Sequence, residues 1–217
     1  MSLNLTEQEV QFLADYIVES DAIEQVVRER SEVLEQLRTE YAEGHVGAYV
    51  HLLRAIENGE MLSESLIREV QGLIVAEQPK YGQRALAPHH IGGWRTIRVI
   101  VGGRECPSPI FVPEYMEHFA RHIRAWQKQS WVMVSPLENV RFIARSHFVY
   151  LIIHPFADGN GRSSRAIVYF LYRFAKIPPF IFTSFDRHST YYPCFNNRDD
   201  KEDMMGYFVS RTTLPSD

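Results

Sequence analysis

Residues 136–153 are apolar on nearly every side of a helix, with Phe142, Ile143, Phe148, Val149, Leu151, Ile152 and Ile153 among them, and residues 166–175 repeat the pattern. A helix with no polar face has to be buried all round. Any fold of this chain must therefore wrap its other elements around these two. The segment that joins them is polar and glycine-bearing: His154-Pro155-Phe156-Ala157-Asp158-Gly159-Asn160-Gly161-Arg162-Ser163-Ser164-Arg165. Such a loop between core helices carries amides that need partners, and packing alone gives no reason for it.

The remaining segments are mostly helical in pattern. Thr6-Glu7-Gln8-Glu9 reads as a capping box, followed by Val10, Leu13 and Ile17 at helical spacing. From Ser20 to Tyr41 the spacing predicts one amphipathic helix, with Val26, Val27, Val33, Leu34 and Leu37 as its stripe. Further helices are expected over 45–57, ending at Asn58-Gly59, and from Ser63 to a point before Pro79. Residues 79–94 have no period and read as loop. Residues 96–101 are β-branched and alternating, Gly102-Gly103 follows, and a proline-broken arm runs to Val112, which predicts a small hairpin. A helix over 113–128 and amphipathic stretches near 189–197 and 200–211 complete the chain. Trp94, Trp126 and Trp131 read as core or hairpin anchors. The class is all-α, with the hairpin as its one β element.

At 217 residues and 45% apolar, the chain can bury a core without disulfides or structural metal. Its net charge of −4 gives no electrostatic case for nucleic-acid or membrane-surface binding. Cys106 and Cys194 read as free thiols. No apolar run approaches the ~20 residues of a membrane span, and Met1-Ser2-Leu3-Asn4 lacks the basic and apolar parts of a signal peptide. The expectation is a soluble, cytoplasmic protein with no nucleic-acid or membrane partner.

The joining loop has a chemistry of its own. The amides of Gly159, Asn160 and Gly161 can converge on one concavity, and the helix that follows adds its positive end, which together make an anion nest suited to phosphate. Arg162 and Arg165 lie at i and i+3 and can add forked donors. Asp158 offers the hard oxygen that Mg²⁺ takes from a protein alongside substrate phosphates. His154 is the one group in the segment that exchanges a proton near neutral pH. The other histidines, His45, His51, His89, His90, His118 and His122, read as surface or core side chains, and His147 as a packing residue beside the loop.

The segment resembles the Fic (Fido) signature, H-x-F-x-[D/E]-G-N-G-R-x-x-R, with all eight fixed positions present. Gly92-Gly93-Trp94-Arg95, the hairpin, the helix near 114–126, His147 and Tyr191-Tyr192 also look like Fic counterparts, so the likeness runs over roughly residues 15–211. It implies a Fic-type helical domain that moves AMP from ATP to a Ser, Thr or Tyr hydroxyl of a protein. The intact Gly-Asn-Gly-Arg favours this over phosphorylation of the Doc kind. On this resemblance His154 is the catalytic base and Asp158 holds Mg²⁺ (or Mn²⁺). Gly159, Asn160 and Gly161 cradle the phosphates, with Arg162 on the α/β- and Arg165 on the γ-phosphate. Tyr191 and Tyr192 look like the adenine-side tyrosines. Arg98, Val99, Ile100, Val101 and Gly102 form the flap that pairs with the target protein. Family habit adds self-modification and a homodimer.

Many Fic proteins carry an inhibitory helix, [S/T]-x-x-x-E-[G/N], whose glutamate pairs with the second motif arginine. Three stretches here fit the spacing, from Ser20, Ser31 and Thr39, and Thr39…Glu43-Gly44 alone has the final glycine. Ser20 and Glu24 are chosen because Ile23-Glu24 resembles the family's Ile-Glu-Gly, with Gln25 in the glycine's place. The chain then divides into N-terminal helices with the inhibitory segment (1–43), a Fic core (44–211) and a tail (212–217). Two other readings stand beside AMP transfer. One is a non-catalytic nucleotide-binding or interaction module on the same fold, and the other is removal of AMP by the same site.

Overall fold

The computed structural model describes residues 5–39, 41–129, 135–197 and 200–214; Trp131 lies outside them. Along the chain these form α1 (Glu7–Ile23), α2 (Arg30–Arg38), α3 (Gly44–Glu57), α4 (Glu64–Ala76), β1 (Ile100–Val101), β2 (Arg104–Glu105), α5 (Val112–Gln129), α6 (Pro136–Ile153), α7 (Asn160–Phe174) and α8 (Glu202–Arg211). The class is all-α with one two-stranded hairpin, as the sequence predicts.

The two apolar helices take the centre. α6 begins where the Ser135 hydroxyl accepts from the Glu138 amide and Pro136 fills the first helical position. In α7, every residue from Ala166 to Tyr172 is buried. α6 and α7 pack on each other, α3 and α4 lie against α7, and α5 and α8 lie against α6. α1 starts at the expected capping box, with Thr6 and Glu9 satisfying each other's amides. Its Tyr16 meets Tyr49 of α3 and Tyr169 of α7 edge-on, at centroid separations of 5.4–5.8 Å. Trp126 is buried, stacked on Phe142, and its indole N–H donates to Asn139 Oδ1 at 3.0 Å.

Two local expectations are corrected. The helix read from Ser20 to Tyr41 is two helices, because α1 stops at Ile23. Gln25 takes a left-handed φ of 61°, its N–H donates to Ala22 O, and the Val26 N–H donates back to Asp21 O. That pair of bonds is the Schellman ending, in which glycine usually holds the left-handed position. Arg28 then folds beneath α1 onto Asp21, and Arg187 donates to the Ala22 and Ile23 carbonyls. These tertiary bonds override the helical period. The second correction is the strand over 96–101, which shrinks to β1. Ile97, Ile100 and Val101 are exposed, so the hairpin has no buried apolar face to lengthen it. Its register pairs Ile100 with Glu105 and Val101 with Arg104, across Gly102 and Gly103, both at positive φ as a two-residue hairpin turn requires.

Candidate functional site

α6 ends on His154, which sits at φ 51° in the left-handed region and caps the helix by donating its N–H to Tyr150 O. Its Nδ1 lies 3.3 Å from the Leu151 carbonyl, which can only accept. A neutral ring that donates from Nδ1 to this carbonyl keeps its basic lone pair on Nε2. The turn beyond it is locked from within. Asn160 Oδ1 accepts from the Phe156 N–H and Asn160 Nδ2 donates to Phe156 O, both at 2.9 Å. Phe156 is fully buried against Trp94. Asn160 thus shapes the loop with its side chain, and its backbone N–H is what remains for the nest.

Gly159 opens α7 at φ 78°, and a Cβ there would stand 2.7 Å from Val75 Cγ1 on α4, so both conformation and space demand glycine. Asp158 is exposed beside it. One carboxylate oxygen accepts from the Gly159 N–H at 2.6 Å, and its carbonyl accepts from Gln71 Nε2 at 3.1 Å. No side chain caps the start of α7.

Both arginines are buried, at 2% and 1% exposure for Arg162 and Arg165. Arg165 is held by the end of α1 and its cap residue. Its Nε donates to Ser20 Oγ at 2.9 Å, and its Nη2 donates to Ser20 O and Glu24 Oε1 at 2.8 Å each. Burial opposes the Arg165 charge, but Glu24 beside it holds the pKa above the ordinary arginine value. Ser20 meets Arg165 through both its hydroxyl and its carbonyl. The Glu24 carboxylate lies on the first turn of α7, where a Cβ on Gly161 would fall 2.1 Å from its Oε1. Ser31 and Thr39, the alternative starts, lead to Glu35 and Glu43, both exposed, and Glu43 precedes α3 instead of continuing a helix.

A buried ionic cluster beside Arg162 was not legible in the sequence. Asp21 Oδ1 lies 3.7 Å from Arg162 Nη1 and 3.0 Å from His45 Nδ1, while its other oxygen accepts from Arg28 Nε. Burial would raise the Asp21 pKa, yet His45 and Arg28 together hold it well below the usual carboxylate range. Arg28 also pairs with Glu77, whose carboxylate accepts the His45 N–H at the start of α3. Arg162 Nη2 donates to Gln83 at 3.2 Å, and its buried Nε has no partner among the described residues. Each of these side chains looks like an ordinary helix residue in isolation, and only the folding of Arg28 under α1 brings them together.

His147 packs beside the loop as expected. It is buried between Ser164 Oγ at 2.7 Å and the Tyr191 hydroxyl at 2.8 Å, and burial, with the Arg165 charge, keeps its pKa well below the usual histidine value. That bond draws the Tyr191 ring into the core at 2% exposure, while Tyr192 stays partly open and edge-on to His188. The expected flap residues Arg98 and Val99 precede β1, Ile100 and Val101 form it and Gly102 opens its turn, all exposed or partly so.

Residues 61–172 match the family model described as Fic/DOC family. Among curated proteins, the chain is 37% identical over 100 residues to a "Protein adenylyltransferase Fic" of Culex quinquefasciatus, covering 46% of this chain and 19% of that protein. It is 27% identical over 160 residues to a protein of the same name from Nematostella vectensis, covering 70% and 35%. The chain thus spans between a fifth and about a third of the length of these relatives. Among solved structures, a Fic domain containing signaling protein from Bacteroides thetaiotaomicron superposes with a TM-score of 0.70 at 20% identity, over 96% of this chain and 88% of that one.

Proposed function

Since this chain belongs to the Fic/DOC family, we propose that it is a protein adenylyltransferase that moves AMP from ATP to a Ser, Thr or Tyr hydroxyl. The observation that carries this reading is one short stretch of chain, residues 154–165, that supplies an imidazole, an exposed carboxylate, uncapped helix amides and two arginines. A module that only binds nucleotide has no use for the base. His154 Nε2 takes the hydroxyl proton as the acceptor oxygen attacks the α-phosphorus. The bond between the α-phosphorus and its bridging oxygen breaks, and pyrophosphate leaves. The amides at the start of α7 and the guanidiniums hold the phosphate oxygens, so positioning and charge neutralisation supply most of the rate. The unpartnered Nε of Arg162 suits such an anion.

The exposed carboxylate of Asp158 at the rim of the nest has the hard oxygen that Mg²⁺ or Mn²⁺ requires. When bound there, the ion supplies neutralisation of charge on the phosphates. β1 offers an exposed edge to an extended segment of the target protein, or of a second copy of the chain in self-modification.

α1 acts as the built-in inhibitor, with Glu24 taking the anion's place on Arg165. Glu24 is one-third exposed at the site, which also supports AMP removal with this carboxylate positioning water. Intact-mass measurement after incubation with ATP and Mg²⁺ tests the reading, with the parent compared to Glu24→Gly. A gain of one AMP unit is expected, and a phosphate-sized gain moves the protein to the Doc-like chemistry. Loss of AMP from pre-modified protein tests the reverse reaction.

A further inference from the structure

Arg95 is among the most buried large side chains in the protein, at 1% exposure, and no carboxylate pairs with it among the described residues. Burying a cation without an anion is costly unless every donor is met. Here carbonyls from three separate stretches meet them. Nε donates to His154 O at 2.7 Å and Nη2 reaches Ile153 O at 3.3 Å, both at the C-terminus of α6. Nη1 donates to Ile97 O at 2.9 Å on the way into the hairpin, and Nη2 donates to Pro107 O on the way out. The Arg95 backbone N–H adds a bond to Pro155 O at 2.9 Å.

The two sides of this clamp need it for different reasons. The last carbonyls of a helix have no partners within it, and a cation at that end also meets the negative pole of the helix. His154 holds a left-handed conformation that a side chain rarely adopts, so its carbonyl direction must be fixed from outside. The hairpin is short and exposed. Its two strands are two residues each, and Ile97, Ile100 and Val101 are exposed. Beside Arg95, Cys106 is its buried foothold, with its N–H donating to Val99 O.

We propose that Arg95 is a positioning residue that ties the β1–β2 hairpin to the backbone of His154, so that the edge receiving the acceptor segment and the base that deprotonates it move as one body. This rests on the AMP-transfer reading for its consequence in rate, but not for the mechanical coupling. Only the planar fork spans both sides at once. A lysine has one nitrogen and can serve the helix end or the hairpin, while keeping the charge.

The test compares Arg95→Lys with Arg95→Ala in full-length protein carrying Glu24→Gly. For the lysine variant we expect self-AMPylation to fall at least tenfold, with affinity for a non-hydrolysable ATP analogue within twofold of its parent. Amide hydrogen exchange is followed in parallel at Cys106 in the hairpin and at His154. Both amides should lose protection together. Full transfer rate, a rate loss matched by lost analogue affinity, or a loosened hairpin with an unchanged His154 amide overturns the proposal. Should neither variant fold, denaturant-dependent exchange of the unmutated protein decides. The two amides opening in one step support the clamp, and separate openings refute it. If Glu24→Gly itself transfers no AMP, the enzymatic reading fails, and the exchange data still judge the coupling.

Discussion

The Glu24 carboxylate lies 2.8 Å from Nη2 of Arg165, and it does so over Gly161, where a β-carbon would stand 2.1 Å from its oxygen. A glycine in the first turn of α7 is therefore what lets an acid from α1 settle among the amides that open that helix. Any anion bound there has to displace Glu24 or share its donors.

Replacing Glu24 with glycine should accordingly raise AMP transfer by tenfold or more, whereas Glu35→Gly and Glu43→Gly should leave it unchanged, since both glutamates are exposed and away from Arg165. Breaking a fully buried ion pair costs roughly 3–5 kcal/mol. Glu24 is one-third exposed and Ser20 keeps two bonds to Arg165, so we expect about 1–2 kcal/mol. Saturating ATP should restore that loss in melting temperature by mass action. Release by Glu35→Gly or Glu43→Gly, with none by Glu24→Gly, would mean another stretch is the inhibitor.

Gln25 occupies the left-handed position that ends α1, with its side chain exposed. A left-handed non-glycine residue costs about 1–2 kcal/mol. Gln25→Gly should stabilise the protein by about 1 kcal/mol, a rise of roughly 2–4 °C in melting temperature for a chain of this size. It should not release transfer, because the bonds of Ser20 and Glu24 to Arg165 are untouched. A lower melting temperature would show that the Gln25 side chain contributes more than its backbone costs.

The motif loop and the two helices around it were legible because their constraints are local. An all-round apolar helix has one place to go, and eight fixed residues in twelve leave little freedom. The stop after Ile23 was not legible, since it depends on Arg28, Arg187 and a glutamine held left-handed by Schellman bonds. Asp21 and Glu77 look like solvated acids until Arg28 is folded between them. Arg95 could be matched to the family, but its four carbonyl partners come from stretches up to 59 residues away and leave no periodic trace.

Removing the base should separate chemistry from binding. His154→Ala leaves the amides of α7, Arg162 and Arg165 in place, so ATP-analogue affinity should stay within a few-fold. Transfer should fall by about 10²–10⁴, the usual worth of a general base. The measurement is single-turnover AMP incorporation in the Glu24→Gly background. Retained transfer would assign the base elsewhere.

Two fully buried histidines make stability depend on pH in a stated direction, and His90, also buried and also held below the ordinary value by burial, acts in the same sense. His147 and His45 both have pKa values below the ordinary histidine value, with burial as the main cause. The Arg165 charge acts in the same sense on His147, while Asp21 partly opposes burial at His45. In the unfolded chain each titrates near 6.5. Below that pH the unfolded state takes up protons that the folded state refuses, so stability is fully present above about pH 7 and falls as the pH drops. Each histidine contributes up to about 1.4 kcal/mol per pH unit until its own folded pKa is reached. Asp21, held low, adds nothing to this window, because its loss sets in only as the pH falls through the unfolded carboxylate value, about 3.9. Urea midpoints should therefore decline steadily from pH 7.5 to 5.5. His147→Gln, which keeps a donor and an acceptor for Tyr191 and Ser164 but cannot titrate, should flatten part of that slope even if it lowers stability overall. Midpoints that do not move between pH 7.5 and 5.5 would mean that the folded protein accepts a proton on these rings as readily as the unfolded chain does.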